Sequence, residues 1–415
     1  METTKPYEIP KHAVMHAWEL VKANDGAEGV DGETIEQFES NLKGNLYKIW
    51  NRLSSGSYFP PATKTVVIPK KDGGERRLGV PAVSDRVAQT VAKLYFEPLV
   101  EPFFLNDSYG YRPGRSAHQA LAVTRERCWR HDWVLEFDIQ GLFDNIDHHL
   151  LMKTVKKHTD NPWLLLYIER WITAPIQEVD GSMVTRSRGV PQGGVISPVL
   201  SNLFMHYVFD SWMEREFADC PWCRYADDGL AHCQSLEQTE ELKAALEKRL
   251  QDCGLTMHPN KTKIVYCKDD DRRRDYPVTG FDFLGFTFRA RRSKNKWGKF
   301  FVNFSPAMSK QAGKAIRQQV RSWSMPKRSD KSLQDLSSMF KAVIQGWINY
   351  YGRFYRSAMY MTLRHINSKL VRWAMRKFKK LKRHRRRAEH WLGRVAKKFP
   401  KLFPHWQMGL LPTVG

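Results

Sequence analysis

The feature that most constrains this 415-residue chain is the placement of acids at the ends of apolar, β-forming segments. Trp133-Val134-Leu135-Glu136-Phe137-Asp138-Ile139 reads as a strand buried under helices, and it delivers Asp138 near its end. Residues 222–233 read as two short strands flanking Ala226-Asp227-Asp228. Adjacent side chains of a straight strand point to opposite faces, so Asp227 and Asp228 can serve one site only from a tight turn. Solvated surface aspartates are the plainer alternative. They fit poorly, because apolar or aromatic residues immediately precede both sets of acids, and clustered like charges repel without a counter-cation.

Around these segments the pattern alternates between helix and strand, and no internal repeat is visible. Residues 1–60 read as short helices around a Gly-rich loop at 24–32. Residues 65–80 read as strand, turn, strand, with Asp72-Gly73-Gly74 as the turn. Helices are expected over 84–98, from about Asp147, over 197–217 and over 236–253. A hairpin is expected near 179–182, with further strands near 263–267 and 280–288. Beyond about 305 the pattern becomes wholly helical. Leu333, Leu336, Phe340, Val343, Trp347 and Tyr351 recur at three- and four-residue spacing, as do Leu363, Ile366, Leu370 and Trp373.

Charge narrows the class of partner. Lys and Arg number 67 against 44 Asp and Glu, a net +23 whose field attracts a polyanion, nucleic acid first. An acidic membrane surface is the competing reading, but no run approaches the ~18 apolar residues of a spanning helix, and the N-terminus has no signal-peptide pattern. Between Lys369 and Lys401 stand fifteen Lys or Arg and one acid, Glu389. Trp373, Phe378, Trp391 and Phe399 interleave with them, and Trp373 and Phe378 read as core. Of six cysteines, Cys220 and Cys223 form a C-x-x-C with no second pair, which reads as two reduced thiols rather than half a zinc site.

Three carboxylates brought together suit one chemistry especially well. Phosphoryl transfer to a 3′-hydroxyl calls for two hard divalent cations, one at the nucleophile and one at the triphosphate. Mg²⁺ takes oxygen ligands and is held by a few carboxylates plus phosphates. Asp138, Asp227 and Asp228 are the expected catalytic and metal-binding residues.

Six segments, the two acid-bearing ones among them, carry a resemblance. In order along the chain they include Gly110-Tyr111-Arg112-Pro113-Gly114-Arg115-Ser116, Phe137-Asp138-Ile139 and Arg188-Gly189-Val190-Pro191-Gln192-Gly193-Gly194 with Ser197-Pro198. Tyr225-Ala226-Asp227-Asp228, Asn260-Lys261-Thr262-Lys263 and Phe283-Leu284-Gly285-Phe286 follow. Together they make the chain similar to the reverse transcriptase/maturase family encoded by group II introns, from the loop at 24–32 to Phe403-Pro404-His405-Trp406. The resemblance implies an α+β right-hand polymerase: an N-terminal extension and fingers over 1–130, a palm over 131–300, and a helical, basic thumb/maturase domain over 301–415. It implies an RNA-directed DNA polymerase using two Mg²⁺ ions, with an RNA template, a DNA primer, dNTP substrates and structured intron RNA as partners.

The same resemblance assigns residue roles. Lys70 and Arg76 would hold the incoming triphosphate, Gln192 and the glycines after it would line the nucleotide pocket, and Phe143 would reject a ribose 2′-hydroxyl. Lys261 would support the acids, Arg112 and Arg115 would contact the template, and Leu284-Gly285 would grip the primer. Arg383, Arg385, Arg386 and Arg387 fall in the region that binds intron RNA. For each, an ordinary loop, core or surface role is the alternative. No paired C-x-x-C follows the helical part, so the chain resembles the compact branch that lacks an endonuclease. An RNA-dependent RNA polymerase, a splicing factor with a dead polymerase and a stand-alone reverse transcriptase are the rival readings. A bacterial cytosolic or nucleoid location is expected, and the sequence suggests no protein partner.

Overall fold

The computed structural model describes residues 5–69 and 74–412, a mixed set of helices and strands that forms two compact units. One unit takes the chain up to Ser116 and Leu135–Lys263; the other takes Ala117–Val134 and the chain from Ile264 onward. These units cut across the expected boundaries at 130 and 300. The strands are β1 (Thr63–Pro69), β2 (Glu75–Val80), β3 (Trp133–Asp138), β4 (Ile176–Gln177), β5 (Met183–Val184), β6 (Trp222–Tyr225), β7 (Asp228–Cys233), β8 (Lys263–Tyr266), β9 (Gly280–Phe283), β10 (Phe286–Lys294) and β11 (Phe300–Met308).

In the first unit β1 and β2 pair antiparallel, from Lys64 opposite Val80 to Pro69 opposite Glu75. β4 adds to β1 in parallel and β5 to β4. A separate sheet holds β6, β7 and β3 in that order. The helix Val83–Val100 is buried on nearly every face. Its Asp85 carboxylate, fully enclosed, accepts hydrogen bonds from Tyr58 at 2.8 Å, Trp171 at 2.8 Å and Gln89 at 2.9 Å. Burial raises this carboxyl above the usual range, and the three donors partly offset that rise. Gln89 in turn accepts from the backbone of Val195 at 2.8 Å, so one buried helix fixes the loop that precedes helix Ser197–Met205. The expected helix over 197–217 is continuous but passes through a π-helical stretch at His206–Asp210.

In the second unit β9, β10 and β11 form an antiparallel sheet whose inner face stacks Phe281 on Phe288 at 4.8 Å. Helix Ala117–Arg130 belongs to this unit because it packs on β11, where the Trp129 indole N–H donates to the Phe304 carbonyl at 2.8 Å. β11 runs to Met308, so the wholly helical region begins at Lys310 and the hairpin of β10 and β11 was not foreseen. Charged residues on β10 (Arg289, Arg291, Arg292, Lys294) hide its alternation.

Helices Lys310–Ser322, Leu333–Tyr351, Tyr360–Lys377 and Arg385–Lys398 then close around Leu336, Phe340, Ile344, Leu363, Ile366, Leu370 and Trp373. Ile344 takes the buried position in this row, whereas Val343 is exposed, a shift of one residue from the expected stripe. Near the end of the described chain, the Asn367 side-chain oxygen accepts from His405 Nε2 at 2.8 Å and from the Trp406 indole at 2.9 Å. Among the described residues, no helix is long and apolar enough to cross a membrane.

Candidate active site

The hairpin of β6 and β7 sets Tyr225 opposite Asp228, which leaves Ala226 and Asp227 as its turn. Ala226 takes φ +60°, a left-handed conformation that needs outside support. Arg224 supplies it from beneath. Its fully buried guanidinium forms a two-pronged pair with Asp210, both bonds 2.7 Å, and also donates to Asn202 at 3.1 Å, Ser108 Oγ at 2.9 Å and the Ala226 carbonyl at 3.0 Å. Every arm of the fork is used, which is what makes a buried ion pair tolerable. Sequence reading gave Arg224 no role. The one available signal was an arginine standing amid Trp222, Cys223 and Tyr225 in an otherwise apolar strand.

A loop ending at Arg112 braces the same turn. Tyr109 donates its backbone N–H to the Arg224 carbonyl at 2.9 Å, and Asn202 donates to the Gly110 carbonyl at 2.7 Å. A Cβ on Gly110 would lie 2.4 Å from the Ala226 nitrogen, so only glycine permits this approach. Arg112 holds the loop in place. Its buried guanidinium binds Glu101 at 2.7 Å and the carbonyls of Leu105 and Ser108 at 2.6 and 2.8 Å. The expectation that Arg112 contacts template phosphates is therefore corrected: its donors are spent inside the protein. The Arg115 side chain donates to the Asn106 side chain at 2.8 Å and lies 5.8 Å over the Tyr109 ring.

Asp138, Asp227 and Asp228 come together at one end of this sheet. Asp138 accepts the Lys261 ammonium at 2.8 Å, and this bond, with Asp138, Asp228 and Asp227 nearby, raises the lysine above its ordinary pKa. Burial raises the Asp227 carboxyl, and the charge of Asp138 adds to the effect. Asp228 is exposed toward solvent on one side, but dense protein on its other sides strips much of its water. That desolvation, then the charges of Asp227 and Asp138, push it up to about 7.

Among the described residues no group of three or more His, Cys, Asp or Glu is preassembled as a metal cage. The acids form an open oxygen set instead. Such a set suits a hard divalent cation that takes its remaining ligands from a bound substrate, and a cation would relieve the repulsion among the three carboxylates.

Other expected residues surround the acids. Arg76, exposed on β2, lowers the pKa of Asp227 by its charge; Lys70 lies outside the described residues. Phe143, nearly buried, meets Tyr111 edge-on at 6.3 Å, and Tyr111 lies within the field of Asp227 and Asp228. Gln192 donates to Asp144 at 3.1 Å while its carbonyl accepts from Gly79 at 2.7 Å. Gly193, at φ +120°, has no room for a Cβ, which would sit 2.4 Å from the Gly79 carbonyl oxygen.

Leu284 and Gly285 belong to the second unit. They form the two-residue turn between β9 and β10, with φ +50° and +79°, and the Leu284 carbonyl accepts from Tyr350 at 2.9 Å. Arg383, Arg385, Arg386 and Arg387 are exposed there, with Arg385 paired to Glu389 at 2.8 Å. The C-x-x-C is not a structural pair: Cys220 faces Cys233, sulfurs 3.7 Å apart, and all six cysteines are free and buried.

A strand-end acid facing an acid pair in a braced turn defines an acid-centred site of the nucleotidyltransferase type. Residues 68–288 match the family model for reverse transcriptase (RNA-dependent DNA polymerase), and residues 313–391 match the group II intron maturase-specific domain. The chain is 30% identical over 316 residues to Protein YkfC of Escherichia coli, covering 66% of this chain and 78% of that protein. It is 32% identical over 275 residues to the group II intron-encoded protein LtrA of Lactococcus lactis, covering 61% of this chain and 45% of LtrA. A nuclear intron maturase of Arabidopsis thaliana is 26% identical over 157 residues, 38% of this chain and 20% of that protein. The chain belongs to the reverse transcriptase family, and its C-terminal part matches the group II intron maturase-specific domain. It is an RNA-directed DNA polymerase that carries a maturase-specific domain, in a family that uses divalent metal ions and acts on nucleic acid.

Proposed function

We propose that this protein extends a DNA primer on an RNA template by two-metal phosphoryl transfer from dNTPs, and that it binds structured group II intron RNA to assist splicing and retrohoming. The observation that supports it most is the convergence of Asp138, Asp227 and Asp228, whose mutual repulsion asks for cationic neutralisation. In this reading residues 1–130 act as fingers, 131–300 as palm and 301–415 as thumb and maturase domain. The three acids would hold two Mg²⁺ ions, which when bound would acidify the primer 3′-hydroxyl and neutralise the triphosphate.

The chain's own residues do the rest. Lys261 restrains the Asp138 carboxylate. Arg76, with Lys70, offers cationic heads to the triphosphate. Gln192 and the close-set Gly193 line the nucleotide pocket, Phe143 limits space beside the sugar, and Arg115 reaches the template. Leu284 and Gly285 present a tight turn to the primer end. Arg383 and Arg385–Arg387 offer exposed charge to intron RNA.

The test is Asp227→Asn. Primer extension on an RNA template should fall by more than about a hundredfold, since transition-state charge stabilisation of this kind is worth several kcal/mol. RNA affinity should stay within about twofold, because the basic surface is untouched. Extension above a tenth of the wild-type rate would overturn the assignment.

A further inference from the structure

The second unit does not spread its positive charge evenly. Arg321, Lys327, Arg372, Arg376, Lys382 and Arg383 line one concave pocket of about 500 Å³. They arrive from four stretches: helix Lys310–Ser322, the turn Met325–Lys327, helix Tyr360–Lys377 and the segment that follows it. All six are exposed, and none is ion-paired with a carboxylate among the described residues. Arg376 reaches the Pro326 carbonyl at 3.4 Å.

Two further observations mark this cluster as costly to the fold. Along the same helix face, burial and then the charges of Arg372 and Arg321 lower the Lys369 ammonium, while burial and then Lys369, Arg321, Arg317 and Arg372 lower His365. Ser324 and Arg383, both lining the pocket, adopt left-handed backbone at φ +50° and +65°, which non-glycine residues take only under constraint. Like charges gathered in one cleft, one of them at a strained position, give the protein nothing internally. A bound polyanion would supply the missing stabilisation.

We infer that this cleft binds the backbone of folded RNA at a sharp bend, where several phosphates crowd together. A regular duplex presents phosphates along a smooth outward curve, which an extended row of cations meets best. Cations converging inward from four segments fit phosphates gathered at a bulge or turn. The inference rests on the reading of this unit as RNA-binding, and goes beyond it by separating the cleft from the run Arg385–Arg387.

The experiment compares two labelled RNA probes of equal length, a hairpin with a central bulge and a fully paired duplex, across a salt series. The full chain carrying R321Q, R372Q and R376Q together should bind the bulged probe on the order of 30-fold more weakly, with the slope of log K against log salt reduced by roughly two to three. Duplex binding should change by less than about threefold. Melting temperature should hold or rise, since repulsion is relieved. A second triple variant, R385Q, R386Q and R387Q, should show a smaller and unselective loss.

Equal losses on both probes would make the cleft a general phosphate track and overturn the inference. So would a loss no greater than that of the second variant, or a fall in melting temperature without selective weakening. Extension on a short template at saturating protein should survive in the cleft variant. If wild-type protein fails to extend at all, the polymerase reading fails while the contrast between probes still judges the cleft.

Discussion

The acid site of the first unit and the cationic cleft of the second concentrate charge in opposite ways. Asp227 and Asp228 stand at a turn whose support is internally satisfied: Arg224 spends every arm of its guanidinium on Asp210, Asn202, Ser108 and Ala226. The cleft cations stand on exposed surface, without a carboxylate partner among the described residues. Chemistry on a reacting atom needs ligands fixed to a fraction of an ångström, so the first unit surrounds its acids with buried hydrogen bonds. Capture of a polyanion needs only net charge and a rough shape, so the second unit can leave its cations solvated.

The largest expected effect tests the internal support. Arg224→Ala leaves Asp210 buried and unpaired, a loss of about 3–5 kcal/mol in stability, and it frees the Ala226 carbonyl that fixes the turn. Arg224→Lys should rescue little, because an ammonium cannot reproduce the fork. Thermal denaturation and primer extension should fall together in both variants. If either variant keeps a wild-type melting temperature while extension is normal, the turn does not depend on Arg224 and the contrast between the two regions dissolves.

The next effect is about half as large and compares buried titratable groups in the two units. His405 is fully buried, and its Nε2–H donates to Asn367, whose amide N–H is already given to the Leu410 carbonyl at 2.8 Å; among the described residues Nδ1 has no partner. Burial lowers this imidazole to about 3. Between that value and the unfolded pKa near 6.5, the unfolded chain binds the proton and the native chain does not. Stability is therefore full above about pH 6.5 and falls by roughly 2 kcal/mol by pH 5. Asp85 in the first unit runs the other way: its raised pKa means that native protein binds the extra proton, so lowering the pH favours its unit. Hydrogen exchange should show acid weakening of the helices around Asn367 while the helix Val83–Val100 is spared. His405→Gln should start less stable at neutral pH but lose this acid slope; a slope that persists would assign the effect elsewhere.

How much of this could be read from the sequence follows from how local each feature is. The hairpin and its acid pair were legible because both short strands, the turn, Asp227 and Asp228 fall within residues 222–233, and Asp138 was legible as the acid that ends its own apolar strand. Arg112 was misread because an arginine among Gly and Pro looks solvated, whereas its burial comes from Glu101 and carbonyls that curl back over it. Arg224 escaped notice since its partners Asp210, Asn202 and Ser108 lie 14, 22 and 116 residues away. The basic region was visible as composition, but sequence pointed to the contiguous run Arg385–Arg387. The cleft gathers Arg321 and Arg372 from helices half a hundred residues apart, which no window along the chain can show.

The smallest expected effect concerns selectivity, where shape rather than charge decides. Phe143 stands on the short helix Leu142–Asn145, its carbonyl accepting from Val190 at 2.6 Å and its ring against Tyr111. Its backbone is fixed by Val190 and its ring meets Tyr111 edge-on, so it can limit room beside an incoming sugar without contacting phosphate. Phe143→Val removes part of that wall while keeping a branched side chain in the core. The ratio of kcat/KM for dNTP over rNTP should drop by on the order of tenfold, because discrimination against an added hydroxyl by packing alone is worth about 1–3 kcal/mol. Stability should fall too, by roughly 1–3 kcal/mol from the cavity, so the ratio is the informative quantity and the melting temperature the control. A lower melting temperature with an unchanged ratio would return Phe143 to the core and leave sugar discrimination to another residue, with Tyr111 as the nearest candidate. A reduced ratio with normal affinity for RNA would complete the contrast: the cleft recognises phosphates and ignores the sugar beside them, while the acid site is built around the sugar it must refuse.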